Sequence, residues 1–137
     1  MDEKDLIFDW NAIDYEIERK SSNHPHDVWF DDETLRDGLQ SPSARNPTIE
    51  EKIELIDYME KLGIQKVDLG LPGAGPFHVK HIDSMLTHMT ENSYELRPGC
   101  AVRTVVDDIR PLVDLQAKHE RQIQASAFLG TSPIRQY

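Results

Sequence analysis

The chain has 137 residues, a formal net charge of −10, and 38% hydrophobic and 29% charged residues. A folded chain of this length buries roughly two-thirds of the surface its unfolded form exposes, so this composition allows a core and excludes disorder throughout. The negative charge, with no stripe of Lys and Arg to offset it, excludes nucleic acid and an acidic membrane surface as partners, and no apolar run approaches the ~20 residues of a bilayer span.

The first ten residues, MDEKDLIFDW, are acidic where a secretory leader would be basic and then apolar. Residues 1–20 hold seven acidic and three basic residues, with Leu6, Ile7, Trp10, Ile13 and Ile17 at near-helical spacing. A short amphipathic helix is expected there, followed by the linker Ser21-Ser22-Asn23-His24-Pro25. Residues 1–26 are therefore read as an acidic extension and linker, and 27–137 as the folded unit. His24 and His26 have a spacing that can bind metal, but in a polar linker without further ligands nearby they are expected to be solvated. The single cysteine, Cys100, cannot form an intrachain disulfide, and a buried inert thiol in a reducing cytoplasm is the simplest reading.

From Asp27 onward, short β-rich runs alternate with longer helical periodicities, the signature of a parallel sheet with crossover helices. The first strand is expected over 28–35. Thr48 with Glu51 three residues on is a capping box, and Ile49, Ile53, Ile56, Met59 and Leu62 form one apolar helix face that ends at Gly63. The second strand is expected over 66–71, with Asp68 on the face away from the helices. A second helix over 77–89 turns Val79, Ile82, Leu86 and Met89 inward and leaves His78, His81 and His88 on a solvated face. The third strand is expected over 99–103, a third helix over 108–119 with Pro111 in its first turn, and the fourth strand over 122–129. This pattern fits either a small open α/β domain or half of an eight-stranded barrel.

The densest polar stretch runs from Asp31 to Gln40. If the strand is extended to Leu35, Asp32, Thr34 and Arg36 share a face, and Asp37 follows at the strand's C-terminal end, beside the turn that Gly38 permits. Active sites of parallel α/β proteins lie at that end, so Arg36, Asp37 and Gln40 are candidate site residues. A carboxylate there can bind a divalent cation and an adjacent guanidinium can balance an oxyanion. An Arg36–Asp37 ion pair that merely plugs a barrel end fits the spacing equally well.

Asp32-Glu33-Thr34-Leu35-Arg36-Asp37-Gly38-Leu39-Gln40-Ser41-Pro42 resembles the D-T-T-L-R-D-G-x-Q-S-P signature of the isopropylmalate, homocitrate and citramalate synthases. These belong to a larger family of metal-dependent (β/α)8, or TIM, barrels that includes hydroxymethylglutaryl-CoA lyase. The helix from Glu51 to Ile64 is similar to its counterpart in that family, Val67-Asp68-Leu69-Gly70-Leu71-Pro72 to its I-E-V-G-F-P strand, and Phe128 to Ile134 to its fourth strand and following loop. The resemblance implies that residues 27–137 are parallel (β/α) units forming the first four strands of the barrel, with the isopropylmalate synthases nearest, and that the chain ends before the barrel closes.

It also implies a cytoplasmic acyltransferase of amino-acid biosynthesis, with leucine the nearest case, that condenses acetyl-CoA with a 2-oxo acid at a divalent metal (Mn, Mg or Zn). Asp37 is then a metal ligand, Arg36 stabilises the developing oxyanion, and Gln40 and Asp68 line the substrate pocket. Four departures stand out. Glu33 and Leu39 replace the commoner Thr and Glu, and the Gly-Leu-Gln form is also similar to the lyase branch. Asp68 stands where the family usually has Glu. Ser126 and Arg135 stand where related synthases often have His. Two metal-ligating histidines of a late strand have no counterpart here. The alternatives are a carbon–carbon lyase of the same family and a half-barrel without catalysis of its own. Alone, the chain is expected to be inactive and to associate with itself, in keeping with a homo-oligomer.

Overall fold

A computed structural model of the chain describes residues 29–131. The acidic extension with its expected helix, the boundary near residue 26, His24, His26 and Arg135 lie outside the described residues. Four strands, β1 (Asp31–Asp32), β2 (Lys66–Asp68), β3 (Arg97–Arg103) and β4 (Gln124–Phe128), form one sheet in the order β1-β2-β3-β4. Every neighbouring pair is parallel, with Asp32 opposite Val67, Asp68 opposite Gly99 and Ala101 opposite Ser126. Helices α1 (Ile49–Leu62), α2 (Pro76–Glu91) and α3 (Val106–His119) connect successive strands. This is the α/β architecture of parallel (β/α) units expected from the sequence.

The start of α1 follows from its cap. The Thr48 hydroxyl accepts from the Glu51 N–H at 3.3 Å, and the Glu51 carboxylate accepts from the Thr48 N–H at 2.8 Å. Two N–H groups that the first turn leaves without helical partners are thereby satisfied. Gly63 ends the helix at φ 73°, in the left-handed region that a side chain would disfavour. The helix α2 begins on Pro76, whose missing N–H costs nothing in a first turn.

The core lies on the helix-covered face of the sheet. Val67 and Leu69 from the β2 segment and Cys100 and Val102 from β3 meet Ile56, Ile82, Met85, Leu86, Met89, Leu112 and Leu115 from the three helices. Cys100 is fully buried, and loss of water pushes its thiol well above the ordinary range, so it is inert as expected. Asp68, Gly99 and Ser126 fall on the opposite face, around a small recess at the middle of the sheet. Among the described residues no helix is long and apolar enough to cross a membrane.

Several boundaries differ from the sequence reading. The first strand pairs over two residues only, and the ladder of β2 ends at Asp68, although Leu69 N–H and Gly70 C=O still bond to Gly99 and Ala101. The third helix starts at Val106, two residues before its expected start, so Pro111 sits past the first turn. The cause is Asp108, which the sequence reading took as the first helical residue. Its carboxylate is buried and accepts from the N–H of Arg103 and from that residue's Nε and Nη2, tying the end of β3 to the first turn of α3. The same carboxylate leaves no room at residue 73, where a Cβ would stand 2.3 Å from it, so only glycine fits.

Candidate functional site

The polar stretch after β1 is shaped by its own side chains. Asp32 Oδ1 accepts from the Thr34 N–H at 2.8 Å, and the Glu33 carbonyl accepts from the N–H groups of Arg36 and Gly38, each at 3.1 Å. Such local bonds compete with strand pairing and turn the chain at residue 33. Asp32, Thr34 and Arg36 therefore do not alternate along one extended face, which corrects the sequence reading. A 3-10 turn over Gly38–Gln40 follows, with the Gln40 N–H on the Asp37 carbonyl at 2.9 Å.

This turn carries Arg36 onto three carboxylates. Its Nη2 bonds Glu33, its Nη1 lies 3.3 Å from Asp37 Oδ1, and its Nε lies 3.4 Å from Asp68 Oδ2. Partial burial would lower the guanidinium pKa, but Glu33, Asp68 and Asp37 together outweigh it and raise it. Asp68 projects from the end of β2 and is only 3% exposed. Its Oδ1 accepts from the Gly70 N–H at 2.9 Å, while its Oδ2 has no hydrogen bond among the described residues. Burial, with a contribution from Glu33, pushes the Asp68 carboxyl above its ordinary range despite the Gly70 N–H and Arg36. Asp37, by contrast, is 66% exposed.

Three of the four expected site residues, Arg36, Asp37 and Asp68, thus converge. Gln40 is exposed and stands apart, lining with Arg36 a cavity between the 36–40 turn, α1 and α2. Ser126 shares the opposite-face recess with Asp68. For a divalent cation, Asp37 offers a hard carboxylate oxygen suited to Mg or Mn, whereas Asp68 Oδ2 is buried against Arg36 Nε. No three His, Cys, Asp or Glu side chains converge to hold a metal among the described residues, so Asp37 alone could supply no more than one part of a coordination shell.

Three residues of the region were given no site role by sequence reasoning. Glu33 was visible only as a departure from a motif, yet it is the closest partner of Arg36. Lys52 and His81 line the same cavity as Gln40. Lys52 falls three residues after Ile49 and four before Ile56, on the buried face of α1, and that lysine on an apolar stripe was a readable signal. The expected solvated histidine face is also corrected. His88 Nε2 bonds Asp57 at 2.7 Å, and His81 Nδ1 is buried, whereas His78 is exposed.

The HMGL-like family model matches residues 27–136. Among curated proteins, the 2-isopropylmalate synthase of Streptococcus gallolyticus is 35% identical over 111 residues, covering 80% of this chain and 20% of that protein. The 2-isopropylmalate synthase of Neisseria meningitidis serogroup A is 33% identical over 104 residues, 75% of this chain and 19% of that protein. That of the archaeon Pyrococcus abyssi is 29% identical over 107 residues, 78% of this chain and 21% of that protein. The chain spans about a fifth of the length of these relatives.

Proposed function

The chain belongs to the HMGL-like family, and from that premise we propose that it carries the Arg36–Asp37 part of the active site of an acyl-CoA-dependent condensing enzyme of the 2-isopropylmalate synthase kind. The reaction joins the methyl carbon of acetyl-CoA to the keto carbon of a 2-oxo acid, and water then cleaves the thioester to release CoA. The observation that carries this reading is the convergence of Arg36, Asp37 and Asp68 where β1 and β2 end.

As the carbon–carbon bond forms, negative charge moves onto the former keto oxygen. Fixed N–H donors aimed at that position stabilise the charge without having to reorganise. Arg36 is held on its Nη1, Nη2 and Nε sides by Asp37, Glu33 and Asp68, and the second N–H of each Nη group is left for substrate. Gln40, with an amide free of other partners among the described residues, orients the 2-oxo acid. A divalent cation, taken up in part by Asp37, would supply Lewis-acid polarisation of the carbonyl. Asp68 acts from behind, keeping Arg36 in place from the sheet.

The test uses the complete protein with acetyl-CoA, Mn²⁺ or Mg²⁺ and a panel of 2-oxo acids, reading free thiol. Thiol release that depends on one 2-oxo acid supports the condensing reaction. Cleavage of a hydroxyacyl-CoA with no condensation would replace it by the second reading, a carbon–carbon lyase, which the Gly38-Leu39-Gln40 sequence favours.

A further inference from the structure

Lys52 is only 5% exposed, its stem packed away and its ammonium at the cavity wall with no hydrogen bond or ion pair among the described residues. Buried lysines are ordinarily paired, because an ammonium taken from water without a partner is costly. Lys52 lies on the wall of a cavity of about 310 Å³ framed by the 36–40 turn, α1, the end of β2 and α2. Opposite on α2 stands His81, whose Nδ1 is buried and without a hydrogen-bond partner. His78, Asn46, Gln40 and Arg36 complete the polar wall, and no Asp or Glu lines the cavity.

Every polar side chain on this wall can donate a hydrogen bond, and two groups removed from solvent, the buried Lys52 and the buried Nδ1 of His81, have none among the described residues. With Lys52 and Arg36 as cations and no carboxylate on the wall, such a set favours an oxyanion. We propose that the cavity between α1 and α2 is a binding site for the phosphate or carboxylate end of a small molecule, held by Lys52 and His81.

Competing explanations for Lys52 are weak in this setting. Arg36 is already matched by Glu33, Asp37 and Asp68, so those carboxylates are engaged elsewhere. Glu50 is the acidic residue that His81 senses, and it sits on the exposed start of α1, where its carboxylate is held by its own N–H and the Thr48 hydroxyl. Burial lowers the pKa of Lys52, and burial together with Lys52 and His78 lowers that of His81, as expected of cationic groups lacking an anion. The His81 ring lies against that of Phe77, at 4.2 Å between centroids, and lines the cavity.

The cavity shares Arg36 and Gln40 with the proposed substrate site, but Lys52 and His81 have no role in that reading and the test needs neither acetyl-CoA nor metal. The full chain is titrated in separate arms with inorganic phosphate and with acetate, reading the His81 and His78 ring resonances by NMR. Saturable shifts of the His81 ring in either arm are expected, and the stronger arm identifies phosphate or carboxylate as the preferred group. Lys52→Met keeps the buried stem and removes the charge, and it should weaken binding at least tenfold while the melting temperature holds or rises. Where that variant is not recovered folded, Lys52→Gln takes its place with the same expected loss. No saturable shift in either arm, or equal affinity in the Lys52 variant, would overturn the proposal whatever the outcome of the thiol assay.

Discussion

The turn around Arg36 and the packing around α2 face each other across β2, yet they are built from opposite materials. Within the turn, one cation is surrounded by three carboxylates, and its strand contributes only two residues to the sheet. On the helix side, Ile82, Met85, Leu86 and Met89 are at most 1% exposed and fit against Val67, Cys100 and Val102. Burial of apolar surface is non-directional and stabilises whatever the substrate, whereas an ion cluster near solvent contributes little to folding and much to a local field. The core thus supplies the stability that lets the turn hold charges in an arrangement unfavourable by itself.

The largest expected effect lies in the turn and should leave folding untouched. In the complete protein, Arg36→Lys keeps the charge but replaces the planar fork with a point ammonium, and turnover should fall roughly 10²–10³-fold, as when a positioned donor to a developing oxyanion is removed. Asp37→Ala should reduce both turnover and Mn²⁺ affinity, measured by calorimetry, with the melting temperature almost unchanged because the side chain is 66% exposed. Activity within a few-fold of the parent in both variants would mean that the pair only closes the end of the sheet.

The complementary change lies in the core. Leu86 is fully buried on α2, and Leu86→Ala removes its contacts and leaves a cavity, which should cost about 3 kcal/mol in denaturant unfolding. A cost below about 1 kcal/mol would show that the α2 face collapses freely, and that it is not the rigid support the turn needs.

How far each region could be read in advance follows the same division. The α1 cap, the Gly63 stop, the α1 stripe as far as Met59 and the inward stripe of α2 were legible because helical spacing and caps are local in sequence, whereas Leu62, expected on the α1 stripe, is 77% exposed in the last turn. Parallel order was legible because strands alternate with helices. The turn after β1 was not, because the Asp32 carboxylate and Glu33 carbonyl draw N–H groups away from the ladder, an outcome set by side-chain bonds that periodicity does not see. The roles of Glu33, His81 and His88 depended on partners from other segments, Asp57 for His88 among them, and so required the fold. Among site residues, the motif led to Arg36 and Asp37, whereas the burial of Asp68 appeared only once β2 was packed between its neighbours.

The smallest expected effect, and the sharpest test of the contrast, is Asp68→Asn. Asp68 belongs to the turn by its contact with Arg36 and to the core by its burial, so its ionisation measures which influence wins. Burial, then Glu33, push its carboxyl up against the pull of the Gly70 N–H, Arg36 and the Ala101 N–H, leaving the folded pKa above the ordinary value. Below that ordinary value the group is protonated in both states and ionisation takes nothing from the fold. As pH rises through it, the unfolded chain releases its proton first, and stability declines until the pH passes the folded pKa. Asparagine carries no charge and can still accept from the Gly70 N–H, so the variant should melt above the parent at pH 7, and the gap should narrow as pH falls toward about 4. Melting curves of the two chains at both pH values decide it. A variant that melts below the parent at pH 7 would mean that the attraction of Arg36 exceeds the cost of burial. The charged turn would then be a source of stability in its own right, and the division between the two regions would fail at the residue they share.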